Sequence, residues 1–93
     1  LPDGIADLVV MLNLHHELHE PTLLLADSAR VAREGGRLLI VDWKTEETPR
    51  GPAQAIRVTP ERMCEDAIAA GWTRCEIREP LDWHSVVTAA RGD

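Results

Sequence analysis

The chain has 93 residues, enough for one small domain with a modest core, and we expect a single domain over residues 1–93. Its net charge of −6 argues against nucleic acid or an anionic membrane as a main partner, because both require a cationic protein surface. No signal peptide or transmembrane run is present in the sequence, so a cytoplasmic protein is the default expectation.

The first predicted element is a strand over Asp7–Leu12, where apolar residues follow Asp7 without a break. The run is too short for a helix and too continuous for a strand with one wet face. It therefore predicts a strand buried on both faces, as in parallel sheets. Ligands of open α/β sheets bind outside the carboxyl ends of the strands, so we expect any chemistry to start at Asn13.

A helix and a second strand complete a predicted βαβ unit. Pro21 fits the first helical position, and Thr22–Arg33 has a broad apolar face, which predicts a helix. We expect Gly35 and Gly36 to stop this helix, one of them in the left-handed cap conformation. The run Arg37–Asp42 then predicts a second buried strand, parallel to the first.

The second half contains a long loop, a helix and a hairpin. The loop Trp43–Val58 has no clear period, and such loops are usually functional or mobile. Thr59 caps a second predicted helix that ends at Gly71. Arg74–Arg78 and His84–Ala90 predict an antiparallel hairpin. The expected fold is α/β, with two parallel strands, a C-terminal antiparallel hairpin and two main helices.

Two cysteines lie in this second half, at Cys64 and Cys75, and they form no CxxC motif. We interpret them as small core residues in a reducing compartment. This interpretation is favoured over a disulfide or a metal-binding pair.

The succession of segments resembles a known family. It reads LPDGIADLVVMLNLHHEL, a helix, RVAREGGRLLIVDWK, a GP loop, TPERMCEDAIAAGW and a hairpin that ends HSVVTAAR. Taken together, these segments are similar to the C-terminal half of a class I S-adenosylmethionine-dependent methyltransferase. The branch of small-molecule enzymes that includes ubiquinone and menaquinone biosynthesis is the most similar. The resemblance implies a partial Rossmann-like sheet, S-adenosylmethionine as cofactor and methyl transfer to a small-molecule acceptor.

The resemblance is to one half of the family's fold. The family's glycine-rich cofactor loop belongs to its other half, and Gly35 precedes a strand instead of following one, so it cannot replace that loop. In the family the first strand lies in the middle of the sheet, so in this chain the edge of Asp7–Leu12 needs a cover. The resemblance therefore implies a homodimer or a missing N-terminal half, and it leaves open whether the chain alone is an enzyme.

The resemblance assigns three residues after the first strand. Asn13 and Leu14 would line the cofactor pocket near its methionine end, with a strand terminus capped by Asn13 as the alternative. His16 would border the substrate pocket, where a histidine tuned near neutral pH can act as a general base. The alternative for His16 is a histidine that packs the loop against a helix.

Three further residues are assigned to substrate binding: His15, Trp43 and Arg57. Trp43 follows the second strand, at the same edge of the sheet as Asn13, and its alternative role is to cover the core. Arg57 could bind an anionic group through two parallel hydrogen bonds. The alternative for Arg57 is an ion pair with an acidic side chain.

The run HHELHE also suggests a metal site. Zinc proteases need HExxH on one helix face, whereas the spacing here is HExH. His15 and His19 are four residues apart, but Pro21 disfavours helix at the preceding residue. We therefore predict no metal site. The two main hypotheses are half of a methyltransferase and a non-enzymatic self-associating module, and a metal-binding protein that uses His15, His16 and His19 is kept as a third hypothesis to be tested.

Overall fold

The computed structural model describes residues 1–92, and of His16 it describes the backbone only. The helices and strands are β1 (Ala6–Leu12), α1 (Pro21–Val31), β2 (Ala32–Trp43), α2 (Pro60–Ala69), β3 (Trp72–Arg78) and β4 (His84–Arg91). Two short 3-10 helices, His15–Glu17 and Gln54–Ile56, lie in the connections. The predicted α/β order is confirmed. No helix in the described part of the chain is both long and apolar enough to span a membrane.

The four strands form one sheet in the order β1-β2-β4-β3. β1 and β2 are parallel, whereas β4 is antiparallel to both of its neighbours, β2 and β3. This confirms two parallel strands followed by an antiparallel hairpin. Because β1 and β2 run the same way, their carboxyl ends meet at one edge of the sheet, where Asn13 N–H donates to the Val41 carbonyl at 2.7 Å.

Both helices pack against the same face of the sheet. The buried side chains on this side form one core cluster, and its largest members are Met11, Leu25, Leu38, Ile40, Met63, Trp72 and Val87. Trp72 also satisfies its polar atom, because Nε1 donates to the Leu25 carbonyl at 3.1 Å. β3 is therefore held to α1 through the centre of the core.

The prediction that the first strand is buried on both faces is wrong for this chain. Leu8, Val10 and Leu12 are 55 %, 44 % and 62 % exposed, whereas Met11 between them is 4 % exposed. Successive side chains of a strand point to opposite faces, and both helices lie on the side of Met11. The opposite side, which we call the outer face, has no helix over it in the described chain.

The glycine pair has a different role from the predicted helix stop. α1 ends at Val31, not at Arg33, and the chain continues directly into β2. Gly35, with φ +80°, lies in an irregular stretch at the start of β2. Gly36 is buried, and a Cβ there would lie 2.8 Å from the carbonyl oxygen of Arg33 and 3.1 Å from that of Ala6. The pair therefore allows β2 to approach β1 closely.

The predicted boundaries of α2 are confirmed. The Thr59 side chain accepts a hydrogen bond from Arg62 N–H at 3.1 Å, which caps the N-terminus. Gly71 ends the helix with φ +105°, a conformation that glycine adopts without strain.

The third strand begins two residues before its predicted start at Arg74. β3 starts at Trp72, and its register with β4 shifts between Thr73 and Glu76. Arg74 lies inside this shift with φ 52°, in the left-handed region. One extra residue in β3 forms a β-bulge, which moves the following side chains to the other face.

Candidate functional site

The turn after β1 places the two predicted cofactor residues at the carboxyl edge of the sheet. Asn13 adopts the left-handed conformation, φ 53°, which asparagine tolerates better than most residues. Its side chain is exposed, whereas Leu14 packs against the core cluster. The turn redirects the chain into the short helix that begins at His15.

A buried polar group, which we call the His15 cluster, joins this turn to α2. His15 is 1 % exposed, and its Nε2 lies 2.9 Å from Oδ2 of Asp66. Arg62 Nε donates to the other carboxylate oxygen of Asp66 at 3.1 Å. Because Asp66 accepts both bonds, Nε2 of His15 carries the proton, and Nδ1 is buried without a hydrogen-bond partner in the described structure. The cluster fixes the ring of His15 against α2.

An open cavity of about 600 Å³ adjoins this cluster. Its walls come from both short helices and the N-terminal turn of α2, and they include His15, His19, Ile56, Arg57, Thr59 and Arg62. The structure thus brings together two of the three predicted substrate-binding residues, His15 and Arg57. Among the described residues, Asn13, Leu14 and Trp43 are not part of this cavity wall.

Trp43 lies beside the cavity in an aromatic cluster. Its ring stacks on Trp83 with a centroid distance of 6.4 Å and lies 4.2 Å from the ring of His84. The guanidinium carbon of Arg57 lies 5.5 Å from the Trp43 centroid, within cation–π range. Trp43 is half-buried, so its predicted role at a substrate site and its role as a cover for the core are both compatible with this position.

Arg57 ties the long loop together. It donates to the carbonyls of Pro52 and Glu46 at 2.8 Å each and to that of Lys44 at 3.2 Å. These partners span most of the loop between β2 and α2, so Arg57 acts as its central hydrogen-bond donor. Its predicted binding of an anionic substrate group stays a prediction.

The general-base prediction concerns His16, whose side chain lies outside the described part of the structure. Two residues of the site, Asp66 and Arg62, were not predicted from the sequence as site residues. The signal for Asp66 was its spacing: it lies three residues after Met63 and next to Ala67, both fully buried, so it shares the apolar face of α2. A carboxylate on an apolar helix face requires a buried partner.

Metal binding was the third hypothesis. Among the described side chains, no group of three or more His, Cys, Asp or Glu residues is arranged to hold a metal ion. His15 and Asp66 form a pair in which both facing atoms are already hydrogen-bonded. The contacts of this pair are those of an orienting interaction between a loop and a helix.

No protein-family model and no curated protein matches the chain. Among solved structures, it is similar to a SAM-dependent methyltransferase from Aquifex aeolicus, with 32% identity and a TM-score of 0.89, over 98% of this chain and 48% of that one. A putative type 11 methyltransferase from Sulfolobus solfataricus matches with 22% identity and a TM-score of 0.82, over 99% and 53%. Human N-acetylserotonin methyltransferase, in complex with SAM, matches with 19% identity and a TM-score of 0.79, over 100% and 31%.

The chain spans about half of the length of the first two structures and about a third of the human enzyme. The match therefore includes all of the sheet and both helices of this chain, but only part of each similar protein. The parallel pair, the antiparallel hairpin and the helices on one face agree with the fold expected from the sequence. The chain has the fold of a class I S-adenosylmethionine-dependent methyltransferase and resembles its C-terminal half.

Proposed function

We propose that the chain is the C-terminal half of a cytoplasmic methyltransferase that transfers a methyl group from S-adenosylmethionine to a small-molecule acceptor. The observation that carries this proposal is the similarity to the Aquifex aeolicus enzyme over 98% of the chain at 32% identity. The human structure in complex with SAM supports the same cofactor. The cavity beside His15 lies at the sheet edge where ligands of such sheets bind.

The residues of this chain fit one end of the cofactor. The exposed amide of Asn13, at the left-handed turn after β1, has donors and an acceptor for the amino and carboxylate groups of the methionine moiety. The adenosine end needs the glycine-rich loop and the ribose-binding acid of the family, which have no counterpart in residues 1–92. When bound, the cofactor supplies an electrophilic methyl group.

The other site residues would act on the acceptor. Asp66 holds the ring of His15, so one wall of the cavity is rigid before any ligand binds. Arg57, which lines the same cavity, and Trp43, which lies beside the cavity against Arg57, would contact the acceptor, and His16 would remove its proton. The cavity would align the acceptor with the methyl group and exclude water, which is the main task of the protein in such a transfer.

Binding of S-adenosylhomocysteine, the demethylated cofactor, tests this proposal by calorimetry. The chain is titrated alone and as a fusion that adds the N-terminal half of the Aquifex aeolicus enzyme. We expect a micromolar Kd for the fusion and an affinity about tenfold lower for its Asn13→Ala variant, because one hydrogen bond to a charged group is lost.

Glu34→Gln is the matched control, since Glu34 is exposed at the other end of the sheet, and it should bind like the parent. Circular dichroism establishes that the fusion is folded. A folded fusion that fails to bind at millimolar ligand would refute the cofactor assignment.

A partner for β1 is the second part of the proposal. β1 is an edge strand of the sheet, and its exposed side chains Leu8, Val10 and Leu12 form an apolar surface next to its free edge. Unpaired strand edges of this kind associate with other chains. Since the similar structures are about twice as long as this chain, we propose that the N-terminal half of the same fold covers this surface. Self-association is the alternative, and it corresponds to a non-enzymatic interaction module.

Analytical ultracentrifugation of the chain alone tests the exposed edge. Without the other half, we expect homodimers at micromolar concentration, because burying the apolar edge of β1 is favourable. Val10→Lys should shift the chain to monomers, because it places a charge on the outer face. Ile68→Lys is the control, since Ile68 is 58 % exposed on α2, away from this face. A parent chain that stays monomeric and monodisperse would contradict the proposed association.

A further inference from the structure

Cys64 and Cys75 lie on elements that pack against each other. Cys64 is on α2 and Cys75 on β3, and both are half-buried free thiols that contact the same core cluster. A tight turn at Gly71 joins the two elements, so β3 runs back along α2. Cys64 and Cys75 are eleven positions apart in the sequence, but they lie on neighbouring elements of the fold.

The two cysteines also lie at similar heights along this pair of elements. Cys64 precedes Gly71 by seven residues, which is about 10 Å of α-helix. Cys75 follows Gly71 by four residues, which is about 13 Å of extended strand and less across the bulge. The helix and the strand therefore carry their cysteines to nearly the same level.

The bulge at Arg74 turns Cys75 toward α2. In a regular strand, residues 72 and 75 would point to opposite faces. Here the extra residue between Thr73 and Glu76 places both Trp72 and Cys75 against the core cluster, on the side where α2 lies. The left-handed conformation of Arg74, φ 52°, marks the residue that makes this change of face possible.

The environment of Cys75 is consistent with a neighbouring Cys64. Burial raises the pKa of the Cys75 thiol to about 12, and Cys64 contributes to this rise. The placement of the two residues on packed elements, both against the same core cluster, is the observation that carries their proximity.

We propose that Cys64 and Cys75 form a reversible disulfide that ties α2 to β3. The oxidant is a low-molecular-weight disulfide of the glutathione type, which is reduced to two thiols. Two protein S–H bonds break and one S–S bond forms, while the S–S bond of the oxidant breaks and two S–H bonds form. Electrons pass from the protein sulfurs to the oxidant. The proposed disulfide does not depend on whether the chain binds S-adenosylmethionine.

The environment of the thiols determines the order of the steps. Cys75 forms a thiolate poorly because its pKa is raised, so Cys64 attacks the oxidant first and becomes a mixed disulfide. In this mixed disulfide the Cys64 sulfur carries no proton and no charge, so it no longer contributes to the raised pKa of Cys75. The Cys75 thiolate next attacks the sulfur of Cys64 and releases the second small thiol.

Mass spectrometry under denaturing conditions, after treatment of the full chain with oxidised glutathione, tests this proposal. The chain has two cysteines, so the product is unambiguous. We expect a monomer that is lighter by two hydrogen atoms and has no free thiol. Its Tm should rise by about 10 °C, because a crosslink over a short loop restricts the unfolded chain, and reduction should reverse this rise.

Cys64→Ser and Cys75→Ser are the matched controls, and each should end without the intrachain crosslink and without the rise in Tm. The parent chain alone decides the question if either variant fails to fold. A parent chain that carries only glutathione adducts, or only crosslinks between two chains, would overturn the proposal.

Discussion

Trp72→Ala is expected to lower the free energy of unfolding by about 4 kcal/mol, the largest effect that we expect of any single substitution in the core. Small domains are stabilised by only about 5 to 15 kcal/mol, so this variant should be near the limit of folding. Trp72 is 1 % exposed, and it lies where α1, α2 and β3 meet. Its removal leaves a large cavity and leaves the Leu25 carbonyl without its donor.

The measurement is urea unfolding followed by circular dichroism, at one fixed protein concentration because association would stabilise the fold. Trp83→Ala is the matched control: Trp83 is 40 % exposed, and we expect a loss below about 1 kcal/mol. Trp72→Phe keeps most of the side-chain volume but loses the hydrogen bond, so its loss in the free energy of unfolding should lie between those of Trp72→Ala and Trp83→Ala. Equal losses for Trp72→Ala and Trp83→Ala would show that the core is not centred on Trp72.

Asp66→Ala is expected to cost about 3 kcal/mol, because it leaves the buried Nε2 of His15 without a partner. Arg62 contacts the same carboxylate, but its side chain is 67 % exposed, so Arg62→Ala should cost at most about 0.5 kcal/mol. Asp66→Asn keeps a side chain of the same shape with an acceptor oxygen, so it should lower the free energy of unfolding by less than Asp66→Ala does. Urea unfolding again provides the measurement.

A double-mutant cycle isolates the contact itself. His15→Ala and Asp66→Ala should each destabilise the chain, and the double variant should lose less than the sum of the two, by about 1 to 3 kcal/mol. A coupling energy near zero would mean that the two side chains stabilise the fold independently, contrary to the hydrogen bond at 2.9 Å.

The βαβ unit and the hairpin could be predicted because their signals are local. The uninterrupted apolar runs, the cap at Thr59 and the stop at Gly71 each specify structure within a few residues. The role of Gly36 was not predictable in this way, since one of the carbonyls that exclude a side chain there belongs to Ala6, thirty positions earlier. The burial of β1 was overestimated for a similar reason: an apolar run indicates what a strand can bury, not which neighbours are present.

The site was predictable only in part. Polar residues at the ends of β1 and β2 pointed to this edge of the sheet, and His15 and Arg57 line one cavity. That this cavity binds a ligand stays a prediction. The contact between His15 and Asp66 joins residues 51 positions apart. The place of Asp66 on the apolar face of α2 signals a buried partner, but no local pattern identifies that partner as His15. The approach of Cys64 and Cys75 depends on the bulge at Arg74, a residue type that does not signal a left-handed conformation.

The core of this chain lies on the one face of the sheet that both helices cover. Its central side chains, such as Leu25, Ile40 and Met63, are fully buried by residues of this chain alone. The second polypeptide that we propose would cover the outer face of the sheet, and its removal would leave this core intact. Such a division suits fragment complementation, in which two separately produced pieces reassemble and a reporter signal records their encounter.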